Sequence, residues 1–200
     1  MSIEKGGSMQ VSIVYDYLCP FCYRQHLVLK DFENLEVKPL PYMLKADVAL
    51  AGEKMEGEDL EKKKAAGEDL EKKPECQGVI LTGRSHYYNT YLAHQLSLGA
   101  YKKGKYLPFA LAVYQAYFEE DKNIGDIRVL EGLCKKLDLD IQDLLASVGA
   151  EDMRKALHAG YSLKTDHNLK TVPILYFPDQ EKIVGHSTSK EELEDIVRKL

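Results

Sequence analysis

The sequence predicts an α/β fold in which strands from the two ends of the chain share one sheet around a long, mostly helical insertion. Three observations carry that expectation. Apolar, β-rich runs stand near the start, at Val11–Tyr15 and Leu35–Leu40, and again near the end, at Lys170–Phe177. Between them the apolar positions recur mainly at helical spacing. Two cysteines, Cys19 and Cys22, flank Pro20 and Phe21 where the first apolar run gives way to a helix-like stretch.

Taken in order, residues 10–42 read strand–helix–strand. Val11-Ser12-Ile13-Val14-Tyr15 is the first strand, and Tyr23 to Phe32 is helical. Leu35-Glu36-Val37-Lys38-Pro39-Leu40 alternates as a half-buried strand does. Pro39 and Pro41 have no N–H to give to a ladder, so they end this strand or place it at an edge. From Lys45 to Glu75 the chain is highly charged. Here Gly57-Glu58-Asp59-Leu60-Glu61-Lys62-Lys63 recurs as Gly67-Glu68-Asp69-Leu70-Glu71-Lys72-Lys73. Two copies of so short a unit make no solenoid. The segment reads as a solvated helical or mobile excursion; the alternative is a lid or partner-binding element beside the two cysteines.

Ser85–Lys103 and Leu107–Glu120 read as helices. Tyr87, Tyr88, Tyr91, Leu92 and Leu96 fall largely on one face, and Phe109, Val113, Ala116 and Tyr117 on another. Such a stripe belongs in a core rather than around a cofactor. Asp126 suits the N-cap of a helix running to Leu137, and residues 140–147 and 152–165 read as two more helices. Lys170–Phe177, entered through Pro173, and Lys182–His186 read as strands. Ser189-Lys190-Glu191-Glu192 is a capping-box pattern that opens a last helix striped by Leu193, Ile196, Val197 and Leu200. The order is that of an α/β, thioredoxin-like fold with a large helical insertion. Residues 10–42 and 168–200 form the thioredoxin-like domain, and 43–167 the inserted helical domain, which contains the duplicated segment 57–73.

Composition narrows the partners. Two hundred residues with 44% hydrophobic content support one real core. A net charge of −5 argues against a nucleic-acid partner, which calls for a basic face. No apolar run approaches the length that spans a bilayer, so no membrane partner is expected. Met1–Met9 carries no apolar signal core, and the expected setting is cytoplasmic. Disulfides there are transient and catalytic rather than structural.

The chemistry centres on Cys19-Pro20-Phe21-Cys22. A strand feeding a helix through Cys-Pro-x-Cys is the layout of a thiol–disulfide redox site. The helix start offers unpaired N–H groups and the positive end of a dipole, which favour a thiolate at the first cysteine. Pro20 suits the first turn because its missing N–H would have no intrahelical partner. Zinc is the competing reading, but a zinc site usually takes four ligands. Cys76 and Cys134 have no closely spaced Cys or His, so no metal is expected. Cys134 lies in an apolar helical context and reads as buried; Cys76 follows the charged segment and reads as a candidate exposed, redox-active thiol.

Several segments together resemble one family. Asp16-Tyr17-Leu18-Cys19-Pro20-Phe21-Cys22-Tyr23 is similar to the active-site segment of the DsbA-like branch of the thioredoxin superfamily, and within it of the FrnE-like (polyketide-type) oxidoreductases. Asn89-Thr90-Tyr91-Leu92-Ala93-His94 with Ala100 and Gly104 resembles the insert-helix signature, and Phe109–Asp121 the helix after it. Thr171-Val172-Pro173 resembles the cis-proline loop. The resemblance covers about residues 10–200. The chain departs from the family in three places. The duplication 57–73 is extra. Lys170-Thr171 stands where relatives commonly have glycine. Phe21 stands where the periplasmic DsbA oxidant has histidine and many FrnE-like proteins have tryptophan.

The resemblance implies roles. Cys19 is the exposed nucleophile that forms a mixed disulfide, and Cys22 the less exposed resolving cysteine. Pro173 is cis, and the backbone of Val172 pairs with an extended substrate, so Pro20, Phe21, Val172 and Pro173 form the substrate-binding set. Asp16 and His26 are candidates for proton transfer, Asp16 being equally a strand-end aspartate and His26 equally a core or surface histidine. Phe21 cannot stabilise a thiolate by charge or hydrogen bond. The potential should therefore be more reducing than DsbA at about −120 mV and nearer thioredoxin at about −270 mV. No cofactor is implied beyond the redox-active disulfide, with glutathione a candidate co-substrate. The implied activity is that of a thiol–disulfide oxidoreductase or isomerase, and the expected partners are protein or small-molecule thiols and disulfides. Two other functions compete. One is a glutathione-dependent enzyme of the kappa-class transferase or hydroxychromene-carboxylate isomerase type, although those generally carry serine in place of the first cysteine. The other is a non-enzymatic metal- or partner-binding module.

Overall fold

A computed structural model describes residues 8–200. Residues 1–7 of the N-terminal stretch, on which the signal-segment expectation falls, lie outside the described residues. The elements follow in chain order: β1 (Met9–Tyr15), α1 (Pro20–Leu29), β2 (Leu35–Pro41), β3 (Glu53–Lys54), α2 (Gly57–Glu71), β4 (His86–Tyr87), α3 (Tyr91–Lys102), α4 (Tyr106–Phe118), α5 (Ile127–Lys136), α6 (Ile141–Ser147), α7 (Ala150–Asp166), β5 (Ile174–Phe177), β6 (Lys182–Val184) and α8 (Lys190–Arg198).

One four-stranded sheet has the order β2-β1-β5-β6. β1 is parallel to β2 on one side and antiparallel to β5 on the other, and β5 is antiparallel to β6. The two ends of the chain thus meet at β1. Val11 to Tyr15 are all buried, as a central strand covered on both faces requires. β2 alternates: Leu35, Val37, Pro39 and Pro41 point inward, while Glu36 and Lys38 face solvent. Both prolines lie inside this strand, which its edge position permits. α7 packs over β2 and β1. Gly160 allows that approach, since a Cβ there would strike the carbonyl of Pro41.

The helices follow the sequence pattern with two shifts. α1 begins at Pro20 and ends at Leu29, so Phe32 lies beyond it, buried in the turn that leads to β2. The helix expected over Ser85–Lys103 begins only at Tyr91. His86 and Tyr87 instead form β4, which pairs with β3, and residues 88–90 are irregular. Local side chains explain this. The carboxylate of Asp121 takes the backbone N–H of Ser85 (2.7 Å), and the Asn89 side chain takes the N–H of Tyr91 (3.0 Å). Such bonds compete with a helical ladder. Tyr87 and Tyr88 are buried from this segment and Tyr91 is 40% exposed, so those three do not share a helix face; Leu96 and the α4 residues Phe109, Val113, Ala116 and Tyr117 are core.

The expected caps form at Asp126 and Ser189, although the Glu192 carboxylate turns to His186 instead of closing the capping box, and Asp140 caps a third helix start. Asp126 accepts from the N–H of Arg128 (2.9 Å), Asp140 from Asp143 (2.9 Å) and Ser189 from Glu192 (3.2 Å). Each such cap contributes about 1 kcal/mol. The charged duplication forms α2. Gly67 and Leu70 are buried and most of its other residues face solvent. α2 is docked rather than loose. Glu71 accepts from the N–H groups of Leu81 (2.6 Å) and Thr82 (3.1 Å), and Tyr87 bonds to Asp59. Gly67 lets the helix press on that loop, because a Cβ there would stand 3.0 Å from the Leu81 carbonyl.

Candidate active site

β1 ends at Tyr15, and a short turn delivers Cys19 to the N-cap of α1 with Pro20 at the first helical position. The carbonyl of Cys19 accepts from the N–H groups of Cys22 (3.1 Å) and Tyr23 (3.2 Å), so the first turn closes on the nucleophile's own residue. The second wall comes from the far end of the chain. The Val172–Pro173 peptide is cis. The Cys19 thiol donates to the Val172 carbonyl across 3.6 Å.

Exposure is narrower than the sequence predicts. Cys19 is 6% exposed rather than open, and Cys22 is fully buried, while Phe21 at the rim is 43% exposed. The reason is a cavity of about 510 Å³ whose walls stand over the sulfur. Cys19, Pro20, Phe21, Val172 and Pro173 all line it. Cys22, Asp16 and His26 do not.

The two thiols are driven apart electrostatically. A hydrogen bond from the Cys22 thiol, together with the N–H groups of Cys22 and Phe21, lowers the Cys19 pKa against burial and the nearby charge of Asp16. Burial raises that of Cys22, and the neighbouring Cys19 adds to it. One thiolate forms readily at Cys19, and the second proton stays on Cys22.

Asp16 is buried beneath the turn. Its Oδ2 accepts from the N–H of Leu44 (2.7 Å), its Oδ1 lies 3.4 Å from the Leu18 N–H, and His94 Nε2 is also 3.4 Å from Oδ1. Its backbone carbonyl accepts from the N–H of Cys19 (3.2 Å). These contacts hold the active-site turn in place. His26 is fully buried as well. Its Nδ1 is 2.7 Å from the Cys22 carbonyl and its Nε2 is 2.7 Å from the Tyr106 hydroxyl. A carbonyl only accepts, so Nδ1 carries the proton and Nε2 accepts from tyrosine. Burial lowers the His26 pKa to about 4 and keeps this ring neutral. The spacing of four residues therefore brings His26 to the carbonyl of Cys22, not to its sulfur.

Neither of the other two cysteines lines the cavity. Cys134 is buried, as its helix context predicts. Cys76 is also fully buried, contrary to the expectation of an exposed redox thiol, because it follows α2 in a turn that folds inward. Burial raises both pKa values to about 11. Among the described residues no three His, Cys, Asp or Glu side chains form a metal-binding cluster. No described helix is long and apolar enough to cross a membrane.

Some site residues had no local signal. Arg24 on α1 pairs with Glu75 (3.3 Å) and donates to Ser187 (3.2 Å), and Glu75 accepts the N–H of Lys190 (3.2 Å). These bonds tie the end of α2 to α1 and α8. Lys63, Ala66, Leu70 and Lys73 form one wall of the cavity. The duplication was their only trace in the sequence.

Comparisons with known proteins agree with this architecture. The uncharacterized Bacillus subtilis protein YwbO is 26% identical over 138 residues, 66% of this chain and 68% of that protein. A Nitrosomonas europaea protein assigned as a disulfide isomerase superposes with a TM-score of 0.76 at 14% identity, covering 96% of this chain and 97% of the other. A Streptomyces coelicolor protein assigned as a DsbA oxidoreductase gives 0.75 at 19% identity, with 96% and 89% covered. The cytosolic disulfide reductase DsbM of Pseudomonas aeruginosa, solved with glutathione, gives 0.69 at 13% identity, with 96% and 98% covered. At such identities these likenesses report the fold. The family model of the DSBA-like thioredoxin domain matches residues 10–197, which takes in the dithiol, the helical stretch and the Val172–Pro173 loop, and the chain belongs to that family.

Proposed function

We propose that the protein is a thiol–disulfide oxidoreductase of the FrnE-like type that works as a reductant through Cys19 and Cys22. The observation that carries this reading is the pairing of a favoured thiolate at the N-cap of α1 with a proton-retaining thiol one turn inside it. The Cys19 thiolate attacks one sulfur of a substrate disulfide. The S–S bond breaks, the leaving thiolate takes a proton, and a mixed disulfide joins Cys19 to the substrate. Cys22 then loses its proton and attacks the Cys19 sulfur, which releases the second substrate thiol. The substrate gains two electrons and two protons, and the enzyme is left as the Cys19–Cys22 disulfide. Two equivalents of a low-molecular-weight thiol restore the dithiol.

Pro20, Phe21, Val172 and Pro173 form the substrate-binding surface, with the Val172 backbone offered to an extended chain. Asp16 and His26 act as positioning groups for the turn and the helix. The inserted unit, residues 43–167, shapes the approach to the sulfur. The direction rests on Phe21, which adds neither charge nor hydrogen bond to the thiolate. The glutathione bound to the Pseudomonas relative supports a small thiol as electron donor, and that relative's cytosolic setting supports the cytoplasm for this chain. The intact Cys19 sets the chain apart from serine-based glutathione enzymes.

The test is the redox equilibrium of the Cys19/Cys22 pair in defined glutathione buffers, read by alkylation and mass, beside Cys19→Ser. A reversible two-electron transition below about −120 mV that disappears in the variant is the expected result. No transition, or one that survives Cys19→Ser, overturns the reading.

A further inference from the structure

The charged duplication acquires a purpose when its two copies are compared in place. In each copy the sixth residue pairs with an acid of its own repeat: Lys62 with Glu58 (3.1 Å) and Lys72 with Asp69 (3.0 Å). The seventh residue, Lys63 or Lys73, makes no ion pair among the described residues and lines the cavity over Cys19. Ala66 and Leu70 lie between these two lysines on the same wall. The wall therefore reads cation, apolar, apolar along one face of α2 at Lys63, Ala66 and Leu70, and a second cation, Lys73, follows two residues beyond the helix end.

Charge across the cavity is one-sided. Lys170 stands on the opposite rim, its amine resting on Asn168 (2.8 Å). Arg24 also lines the cavity but is neutralised by Glu75. None of the lining residues is Asp or Glu, although the chain as a whole carries a net charge of −5. The cavity of about 510 Å³ is of the size that holds small molecules. Cys19 at its base is only 6% exposed, which favours a slender ligand over a bulky protein surface.

Resting on the dithiol reading above, we propose that α2, with Lys73 just past its end, is a specificity wall for anionic low-molecular-weight disulfides. Lys63 and Lys73 hold carboxylates of the substrate, Ala66 and Leu70 cover its apolar stem, and its S–S bond lies against Cys19. The sulfur exchange is the one already written; the wall adds attraction and orientation. Lys62 and Lys72, with equal charge, face away and add neither.

The experiment measures the second-order rate of oxidation of the reduced, full-length protein by glutathione disulfide, which is anionic, and by 2-hydroxyethyl disulfide, which is neutral, using acid quench, alkylation and mass. In the Lys63→Glu/Lys73→Glu variant the ratio of the two rates falls about tenfold, since like charges set against each other repel strongly. In the Lys62→Glu/Lys72→Glu control the ratio changes less than about twofold, as expected of solvent-facing charges. Added salt compresses the wild-type ratio. Lys63→Gln/Lys73→Gln, which removes charge without reversing it, gives an intermediate fall of about threefold and serves if the reversed variant does not fold. An unchanged ratio in the cavity variants, or an equal fall in the control, overturns the wall. If neither disulfide oxidises the wild-type protein, the dithiol reading itself fails, and that outcome is distinct from both.

Discussion

Cys19 and Cys134 are both buried thiols near helix ends, and the contrast between them shows what makes a sulfur reactive here. Cys19 caps the N-terminus of α1, where N–H groups converge and the helix dipole is positive. Cys134 lies in the last turn of α5, where the dipole is negative, with Asp140 and Glu131 nearby. Burial opposes ionisation at both. At Cys19 the donors prevail and the pKa falls; at Cys134 nothing offsets burial and it rises to about 11. The donors gathered at the sulfur, the Cys22 thiol first and then the N–H groups of the helix start, decide the chemistry rather than exposure.

The strongest way to break this contrast is to remove each sulfur in turn. Cys19→Ser should lower disulfide reduction by about 1,000-fold or more, because a hydroxyl does not ionise to replace a thiolate nucleophile. Cys134→Ser and Cys76→Ser should leave the rate within about twofold while costing about 1–3 kcal/mol of stability from a buried hydroxyl. Unfolding titrations beside a turnover assay separate the two effects. Cys22→Ser should trap the mixed disulfide on Cys19, visible by mass as a covalent adduct. Loss of activity in the Cys134 variant without loss of stability would erase the distinction.

Alkylation sharpens the contrast without mutation. At neutral pH, native Cys19 should react more than about 100-fold faster than Cys76 or Cys134, since their thiolate fractions are smaller by that factor from pKa alone. Mass mapping after timed iodoacetamide exposure reads this directly. The Cys19 rate should level off at a lower pH than that of an ordinary thiol.

The underside of α1 gives a third test. His26 has a pKa of about 4 in the folded protein against an ordinary 6.5, so the unfolded chain binds its proton first. Its contribution is complete above about pH 6.5 and is lost as pH falls toward 4, amounting to about 3 kcal/mol. Unfolding free energies at pH 7 and pH 4 should show that loss for the wild type and a smaller one for His26→Gln. Equal losses would mean that the ring is not held neutral. The smallest expected effect is on the potential. Phe21→His adds a donor beside the thiolate and should shift the potential upward by about 30 mV or more, a tenfold change in the equilibrium, measured in glutathione buffers.

Much of this was legible in the chain. The alternation of Leu35–Leu40, the apolar core of β1, the caps at Asp126 and Ser189, and the proline after Cys19 are local signals with local causes. Four features were not, because each depends on a residue distant in sequence. Asp121 draws Ser85 out of a helix. The turn after α2 carries Cys76 inward. Glu75 joins Arg24 to α8. Residues 153 apart in sequence narrow the opening over Cys19. The duplication was visible as a repeat, but only the fold, α2 for the first copy and the turn after it for the second, separates its solvent lysines from its cavity lysines.

The central place of β1 has a consequence for the chain while it is being made. Ser12 pairs with Tyr176, and Cys19 meets the carbonyl of Val172. At about 5–20 residues per second, roughly 8–30 s separate the synthesis of Cys19 from that of Val172. Through that interval β1 lacks its β5 partner, and Cys76 and Cys134 emerge alongside a dithiol that has not acquired its cover. All four thiols share one unfinished chain, so the order of translation itself sets a demand for reducing surroundings at birth.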